Sequence, residues 1–455
     1  MRDMHTYGEE ADQFGAAAFD FARHRIRLDV EPGGVPLGRP RTQADLDAAA
    51  GPSITPGGLG EREVLRRFTE FLEPACLSID FPRYFAFIPA APTETSIIAD
   101  MVVSACSIYG GTWLEGAGAV WAENEALRWI ADLAGLPAEA GGCFVSGGTL
   151  GNLSALVAAR HDARARRGRG GGRLTLIAGQ SAHTSMETAA ECLDVEVVRV
   201  PGPKLTGGAL APVMEAVGER AFAVVSTAGS TNLGLVDDIA SVAGVCRSAG
   251  VWLHVDAAYG GAALAAPSAR GRFAGIEQAD SLIVDPHKWL FAPFDACALL
   301  YRAPDQARAC HAQHSAYLDL DPVITGAAGW NPSDYALHLS RRTRGVPFWF
   351  SLAAYGTAAY VNAIEGCLAV TAEAAAMIRS APHLDLVAEP ELSVVALRRH
   401  GWDAARYCAW ARDMLDAGLA FVCPSAHEGE PMLRIAVVNP RTTVDDVRLV
   451  LDALR

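Results

Sequence analysis

The chain has 455 residues, 51% of them apolar and 20% charged, a composition that excludes an intrinsically disordered protein and provides for more than one packed core. Its 52 acidic against 38 basic side chains leave a formal charge of −14, which argues against a general affinity for nucleic acid or anionic membranes and in favour of a small-molecule partner.

The opening residues, MRDMHTYGEEADQF, contain acids and no sustained apolar run, so no secretory signal is read and a cytoplasmic location is expected. No run of about 18 uncharged apolar residues predicts a membrane span. Residues 1–95 are mixed: an amphipathic pattern from Phe14 to Arg27 gives way to VEPGGVPLGRP and GPSITPGG, which read as connectors around an N-terminal helical segment. Over residues 96–345 short apolar runs (CFVS, LTLIAG, VEVVRV, AFAVVSTA, VWLHVDAA, SLIVDP and ACALLYRA) alternate with helical patterns. Such alternation predicts an α/β domain, its mostly parallel sheet covered by helices on both faces. The arginine-rich RHDARARRGRGGGR, Arg160 to Arg173, is read as a solvated surface loop because of its glycines. Residues 346–455 open with a long Ala-rich helical stretch, followed by LSVVALRRH, another helix and MLRIAVVN, which predicts a smaller α+β domain. Ten scattered cysteines show neither a CxxC pair nor zinc-ligand spacing; they are read as buried apolar residues in a reducing compartment, with no metal.

Ligands of open parallel sheets collect past the carboxyl ends of the strands. After CFVS come Gly147, Gly148, Thr149 and Gly151, then a helical pattern. That turn either offers free N–H groups and a helix dipole to a phosphate or is simply a tight turn with Thr149 as N-cap. After VWLHV comes Asp256, a carboxylate that needs a cationic or N–H partner nearby, or that caps the next turn. After SLIVD come His287 and Lys288. Apolar surroundings lower a lysine's pKa, and a neutral amine condenses with aldehydes; the alternative is a lysine whose stem packs on Trp289. A phosphate turn, a buried acid and a buried lysine are together the three contacts that pyridoxal phosphate requires.

HVDAAYGG followed by DPHKW resembles the signature of the group II pyridoxal-phosphate decarboxylases, the family of aromatic L-amino acid decarboxylase and, more distantly, of glutamate and histidine decarboxylases. The resemblance runs from PRYFAFIPA to LRIAVVNPRTT. It implies pyridoxal-phosphate fold type I, aspartate aminotransferase-like, with a seven-stranded sheet. It also implies that Lys288 forms a Schiff base with the cofactor, that Asp256 pairs with the pyridinium nitrogen, and that the Ala258 methyl packs on the ring opposite His183. Gly148 and Thr149 then fall where the family binds phosphate, with His287 close by and Thr231 lining the site. Tyr335 matches a tyrosine on a mobile loop that serves in protonating the substrate carbon, although LDLDPVITGAAGW before it differs from the eukaryotic loop. Relatives that form aldehydes replace either this tyrosine or the stacking histidine.

By the same resemblance Phe87 and Ile88 stand at substrate-pocket positions, with Trp113 nearby, and no arginine is dedicated to an acidic side chain. An aromatic amino acid is therefore expected as substrate, to be converted to the amine and CO2. A branched aliphatic substrate, aldehyde formation and a catalytically silent homologue stay open. The family also implies a homodimer with the active site at its interface, consistent with apolar Phe14, Ala17, Phe19 and Phe21 in the first helix.

Overall fold

Each of the seven apolar runs is a strand, and in all but VEVVRV, at the sheet edge, side chains on both faces are buried, as only a sheet covered on both sides allows. The computed structural model describes residues 5, 7–28, 34–168, 172–314 and 329–455. The strands are β1 (Gly141–Val145), β2 (Thr175–Gly179), β3 (Glu196–Val200), β4 (Ala221–Thr227), β5 (Trp252–Asp256), β6 (Ser281–Val284) and β7 (Cys297–Tyr301). They pair in the order β1-β7-β6-β5-β4-β2-β3, with β7 antiparallel to both of its neighbours and the other pairings parallel. The two-residue period sorts the core: Val224, Leu253, Val255 and Leu282 face one apolar layer, while Ala223, Val225 and Ile283 face the other.

Before the sheet come α1 (Glu9–Arg27), α2 (Gln43–Ala50), α3 (Glu61–Arg67), α4 (Glu94–Cys106) and α5 (Trp113–Leu133); within it α6 (Gly148–Arg167), α7 (Ser185–Leu193), α8 (Gly207–Val217), α9 (Ile239–Ala249) and α10 (Pro304–His311) connect or flank strands. The expected arginine loop is helical through Arg167, because Arg166 pairs with Asp162 one turn back and Arg167 donates to the Ala221 carbonyl. Side-chain contacts thus hold those turns in place of the coil that their glycine-rich continuation suggested.

The C-terminal part holds α11 (Val346–Tyr355), α12 (Thr357–Ser380), α13 (Ala404–Asp416) and α14 (Val444–Asp452) with strands β8 (Leu384–Leu386), β9 (Val394–Arg399), β10 (Pro424–His427) and β11 (Glu430–Ala436). These strands form an antiparallel sheet in the order β10-β11-β9-β8. α12 is long and apolar enough to cross a bilayer by length and composition, yet Tyr360, Ile364, Cys367, Thr371, Ala374 and Ile378 form a stripe at helical spacing that is buried in protein. That stripe joins the core, which runs without a break from the large sheet to Val394, Leu433 and Val447 of the small one.

Candidate active site

Strands β1, β2, β4, β5 and β6 deliver the residues just past their carboxyl ends to one cleft of about 720 Å³. Gly148, Thr149, His183, Thr231, Asp256, Ala258, His287 and Lys288 all line it, together with Asn152, Ser181, Thr227, Asp285, Phe294 and Asp295. A groove of about 1080 Å³ lies at the opposite, amino end of the sheet, between Arg166, Arg167, Glu215 and Glu219; it carries none of this chemistry.

The cradle begins at Gly147, the extended N-cap of α6, whose side-chain-free cap leaves the first-turn N–H groups without an intrahelical partner. A Cβ on Gly148 would stand 3.2 Å from Asp285 Oδ2 and 3.4 Å from the Ala258 methyl, so glycine lets the helix end close on the turn after β6. Two polar atoms among the cleft-lining residues, Thr227 Oγ1 and Asp285 Oδ1, are buried and make no hydrogen bond among the described residues. Free N–H groups on a helix dipole and buried polar atoms left over for a ligand fit a phosphorylated, polar cofactor.

Asp256 is buried at the end of β5. Its Oδ1 accepts from the Ala258 N–H at 3.1 Å and its Oδ2 from Asn152 Nδ2 at 2.9 Å. The cation that sequence reasoning placed beside it is found elsewhere: Lys288 Nζ lies 2.9 Å from Asp285 Oδ2. Burial alone would lower the Lys288 pKa, and it is the largest single influence, but the Asp285 charge and hydrogen bond, with Asp256 further off, outweigh it and hold the ammonium above its ordinary value. This reverses the expectation of a lysine made neutral by apolar surroundings. Burial likewise works to raise the Asp285 carboxyl, yet Lys288 and His287 together hold it below the usual range. Burial pushes His287 down, toward the neutral ring; its Nδ1 lies 2.8 Å from the Ala296 carbonyl oxygen, and Phe294 packs 4.7 Å from the imidazole. The His183 Nδ1 accepts from the Ser185 N–H at 3.1 Å, which fixes that ring at the mouth of α7.

Four expected residues are not brought to this cleft. Tyr335 is packed in the apolar cluster of β1, β7, α6 and α10, stacked 4.2 Å from Trp330, with its own carbonyl accepting from the Tyr301 hydroxyl. Burial raises its phenol pKa, and within this chain the side chain lies in that apolar cluster, outside the cleft. Most of the segment before it, residues 315–328, lies outside the described residues. Phe87 is exposed at a positive φ of 53° beside Phe421, Ile88 is half-buried against the core, and Trp113 starts α5 with its N–H donating to Asn331 Oδ1. The apolar substrate wall read from the sequence is therefore absent from the cleft of the single chain; Phe294 is its aromatic lining residue besides Tyr259. Asn152, Thr227 and Asp285 were missed. Only Asp285 carried a signal, its spacing of three residues from Lys288.

A sheet with one reversed strand whose carboxyl edge brings an acid, a lysine and a glycine-capped helix into one cleft belongs to the class of α/β enzymes that use pyridoxal phosphate. Comparison with known proteins narrows this. The family model described as pyridoxal-dependent decarboxylase conserved domain matches residues 54–400, and the chain belongs to that family. It is 26% identical over 412 residues to an aromatic-L-amino-acid decarboxylase of Bacillus atrophaeus, spanning 87% of this chain and 85% of the relative, and 29% identical over 396 residues to an L-2,4-diaminobutyrate decarboxylase of Rhizobium meliloti, spanning 83% and 78%. In fold it is similar to a crystal structure of Oryza sativa TDC with PLP and tryptamine, with a TM-score of 0.91 and 23% identity over 100% of this chain and 98% of that one. The chain is thus a pyridoxal-phosphate-dependent amino acid decarboxylase, a lyase.

Proposed function

We propose that the substrate is an aromatic L-amino acid, released as the amine and CO2. The carrying observation is the cleft wall: apart from the imidazoles of His183 and His287, Lys288 is the one basic side chain lining it among the described residues, and the half-exposed Phe294 ring stands beside His287. An acidic side chain would meet no arginine there, whereas an aromatic one gains burial and ring contact. Relatives named aromatic-L-amino-acid decarboxylase in Sus scrofa and tyrosine decarboxylase in Oryza sativa support this reading. A second reading rests on Asp295, which lines the same cleft and suits a basic substrate side chain; relatives named histidine decarboxylase and L-2,4-diaminobutyrate decarboxylase accord with it.

When bound, pyridoxal phosphate supplies an aldehyde that condenses with an amine and a ring that takes up the electron pair left when CO2 departs. In the roles we assign, the N-terminus of α6 holds the phosphate through its free N–H groups. Asp256, hydrogen-bonded by the Asn152 amide and the Ala258 N–H, would hold the ring nitrogen in its protonated form. Ala258, His183 and Thr231, which line the same cleft, would contact the ring. Lys288 would carry the anchoring amine, and Asp285, ion-paired with it, would be the nearest acceptor for the proton this amine gives up to react, returning that proton as the ammonium re-forms. His183 is the group within the cleft that returns a proton to the substrate carbon.

The second subunit belongs to the same proposal. Exposed Phe14 and Phe19 on α1 and Ile98, Val102, Trp121 and Phe350 on α4, α5 and α11 form apolar surface that a homodimer would bury. Light scattering should give twice the chain mass. For the reaction, purified protein loaded with pyridoxal phosphate is offered aromatic, basic, acidic and branched amino acids while CO2, amine, aldehyde and peroxide are measured. Carbon dioxide with equimolar aromatic amine supports the proposal; turnover confined to histidine or diaminobutyrate supports the Asp295 reading. Aldehyde with peroxide, or no product, defeats both.

A further inference from the structure

Behind the cleft a run of buried side chains ends at Asp256. Trp252 Nε1 donates to Ser281 Oγ at 2.8 Å, Ser281 Oγ lies 2.8 Å from His254 Nδ1, and His254 Nε2 lies 2.8 Å from Asn152 Oδ1. Asn152 Nδ2 then reaches both Asp256 Oδ2 and, at 3.0 Å, Ser185 Oγ; that hydroxyl lies 3.0 Å from His183 Nδ1. Trp252, Ser281, His254 and Asn152 are at most 3% exposed, so bulk water does not offer them other partners.

Donor and acceptor capacities leave one arrangement of protons. An indole N–H only donates, so the Ser281 oxygen accepts it; with the Asn152 NH2 drawn to the Asp256 carboxylate and the Asn152 Oδ1 facing His254 Nε2, that ring nitrogen carries the hydrogen and Nδ1 accepts from the Ser281 hydroxyl. Burial holds His254 neutral, its pKa pushed down to about 4. Its single hydrogen is therefore on Nε2 and is donated to Asn152 Oδ1. With that oxygen engaged, the amide presents its NH2 group to Asp256 and Ser185. The flipped amide would set its carbonyl against the Asp256 carboxylate and its NH2 against the His254 N–H, two repulsive contacts in a low-dielectric site.

We propose that Asn152, locked in this orientation by His254, Ser281 and Trp252, is the positioning residue that keeps Asp256 an acceptor-only carboxylate and ties it to His183. This rests on the placement of Asp256 against the ring nitrogen of the cofactor. The titratable groups around Asp256 are His254 on its own strand, His183 before α7, Asp285, His287 and Lys288 after β6, and Cys297 on β7; of these, His254 alone touches Asn152.

The test uses holoprotein reconstituted with pyridoxal phosphate carrying 15N at its pyridine nitrogen, whose chemical shift reports protonation across pH. Four proteins are compared: wild type, Asn152→Leu, Ser281→Ala and Asp256→Asn. Asn152→Leu removes a hydrogen bond to the Asp256 carboxylate, so the ring-nitrogen titration should shift by about 10- to 100-fold in its acidity constant and the cofactor dissociation constant should rise by a similar factor. Ser281→Ala alters no cleft-lining residue, yet frees His254 to take the other tautomer and should move the same titration about two- to tenfold. A purely structural role lowers the melting temperature and leaves the titration where it was; that outcome in both variants overturns the proposal. If Asn152→Leu does not fold, Ser281→Ala decides alone. If Asp256→Asn leaves the nitrogen unchanged, the placement of Asp256 is wrong and the proposal falls with it. If Asp256→Asn shifts the nitrogen while the other two do not, only the locking run is refuted.

Discussion

Lys288 Nζ sits 2.9 Å from Oδ2 of Asp285, so the reactive lysine carries its own counterion three residues earlier on the turn after β6. A raised lysine pKa keeps the amine protonated, and unreactive toward an aldehyde, to higher pH than an ordinary lysine. Asp285→Asn removes the nearer anion and leaves burial opposed chiefly by the more distant Asp256, so the pKa falls. The rate of cofactor loading onto the apoprotein, followed against pH, should shift its rise to lower pH in the variant. An unmoved profile would show that Asp285 does not control the amine.

Gly151 lies where α6 crosses the sheet, and a Cβ there would stand 2.9 Å from Ile283 Cγ2 and 3.0 Å from Cys297 Sγ. Alanine favours a helix over glycine, but here it forces α6 off the strands. Gly151→Ala should destabilise by about 1–3 kcal/mol and weaken cofactor binding, because the displaced helix carries the phosphate cradle. Urea melts and cofactor titration check this; a variant as stable as the parent would mean that the sheet yields at no cost.

Burial pushes both His254 and His338 down to about 4. The unfolded chain protonates these rings at the ordinary value near 6.5, whereas the folded one resists, so stability falls as pH drops from about 6.5 toward 4. For fully buried His254 the loss approaches about 3 kcal/mol. His338→Gln, which can still donate to the Pro332 carbonyl as His338 Nε2 does, should flatten the fall measured by urea unfolding across that window. An equally steep fall in the variant would rule out His338 as a contributor.

Arg341 and Glu123 are paired at 2.7 Å with both side chains at most 2% exposed. Glu123→Ala strands a buried guanidinium and should cost about 3–5 kcal/mol, with Glu123→Gln intermediate. The same carboxylate accepts from the Gly345 N–H at 2.9 Å, so limited proteolysis should open the chain near residues 341–345 first. A loss under 1 kcal/mol in Glu123→Ala would mean that water reaches the pair.

The long strands are legible in the sequence because all but VEVVRV are apolar on both faces and each is bounded by helical pattern, while β8 and β10 are too short and too polar to stand out, Asp385 being exposed and β10 starting at a proline. The cleft residues are legible because each follows a strand. Asn152 is not: a lone asparagine in the second turn of a helix looks like any polar face. Where Tyr335 packs within the chain is not legible, because nothing in the spacing says on which side of a loop a tyrosine lies, and Trp330 decides it. Phe87, Ile88 and Trp113 lie off the single-chain cleft for a related reason, since an apolar residue can face a cleft, a core or a second subunit with the same local pattern.

The reversed strand sets an order of events during synthesis. β1 has one sheet neighbour, β7, and Gly141 pairs with Tyr301 while Val145 pairs with Cys297. A nascent chain that has exposed everything up to Lys288 therefore still lacks the strand that seats β1 and the helix end beyond it. Until Tyr301 pairs with Gly141, the apolar edge of β1 has no strand to cover it, and the helix end that follows β1 has no seat on the sheet.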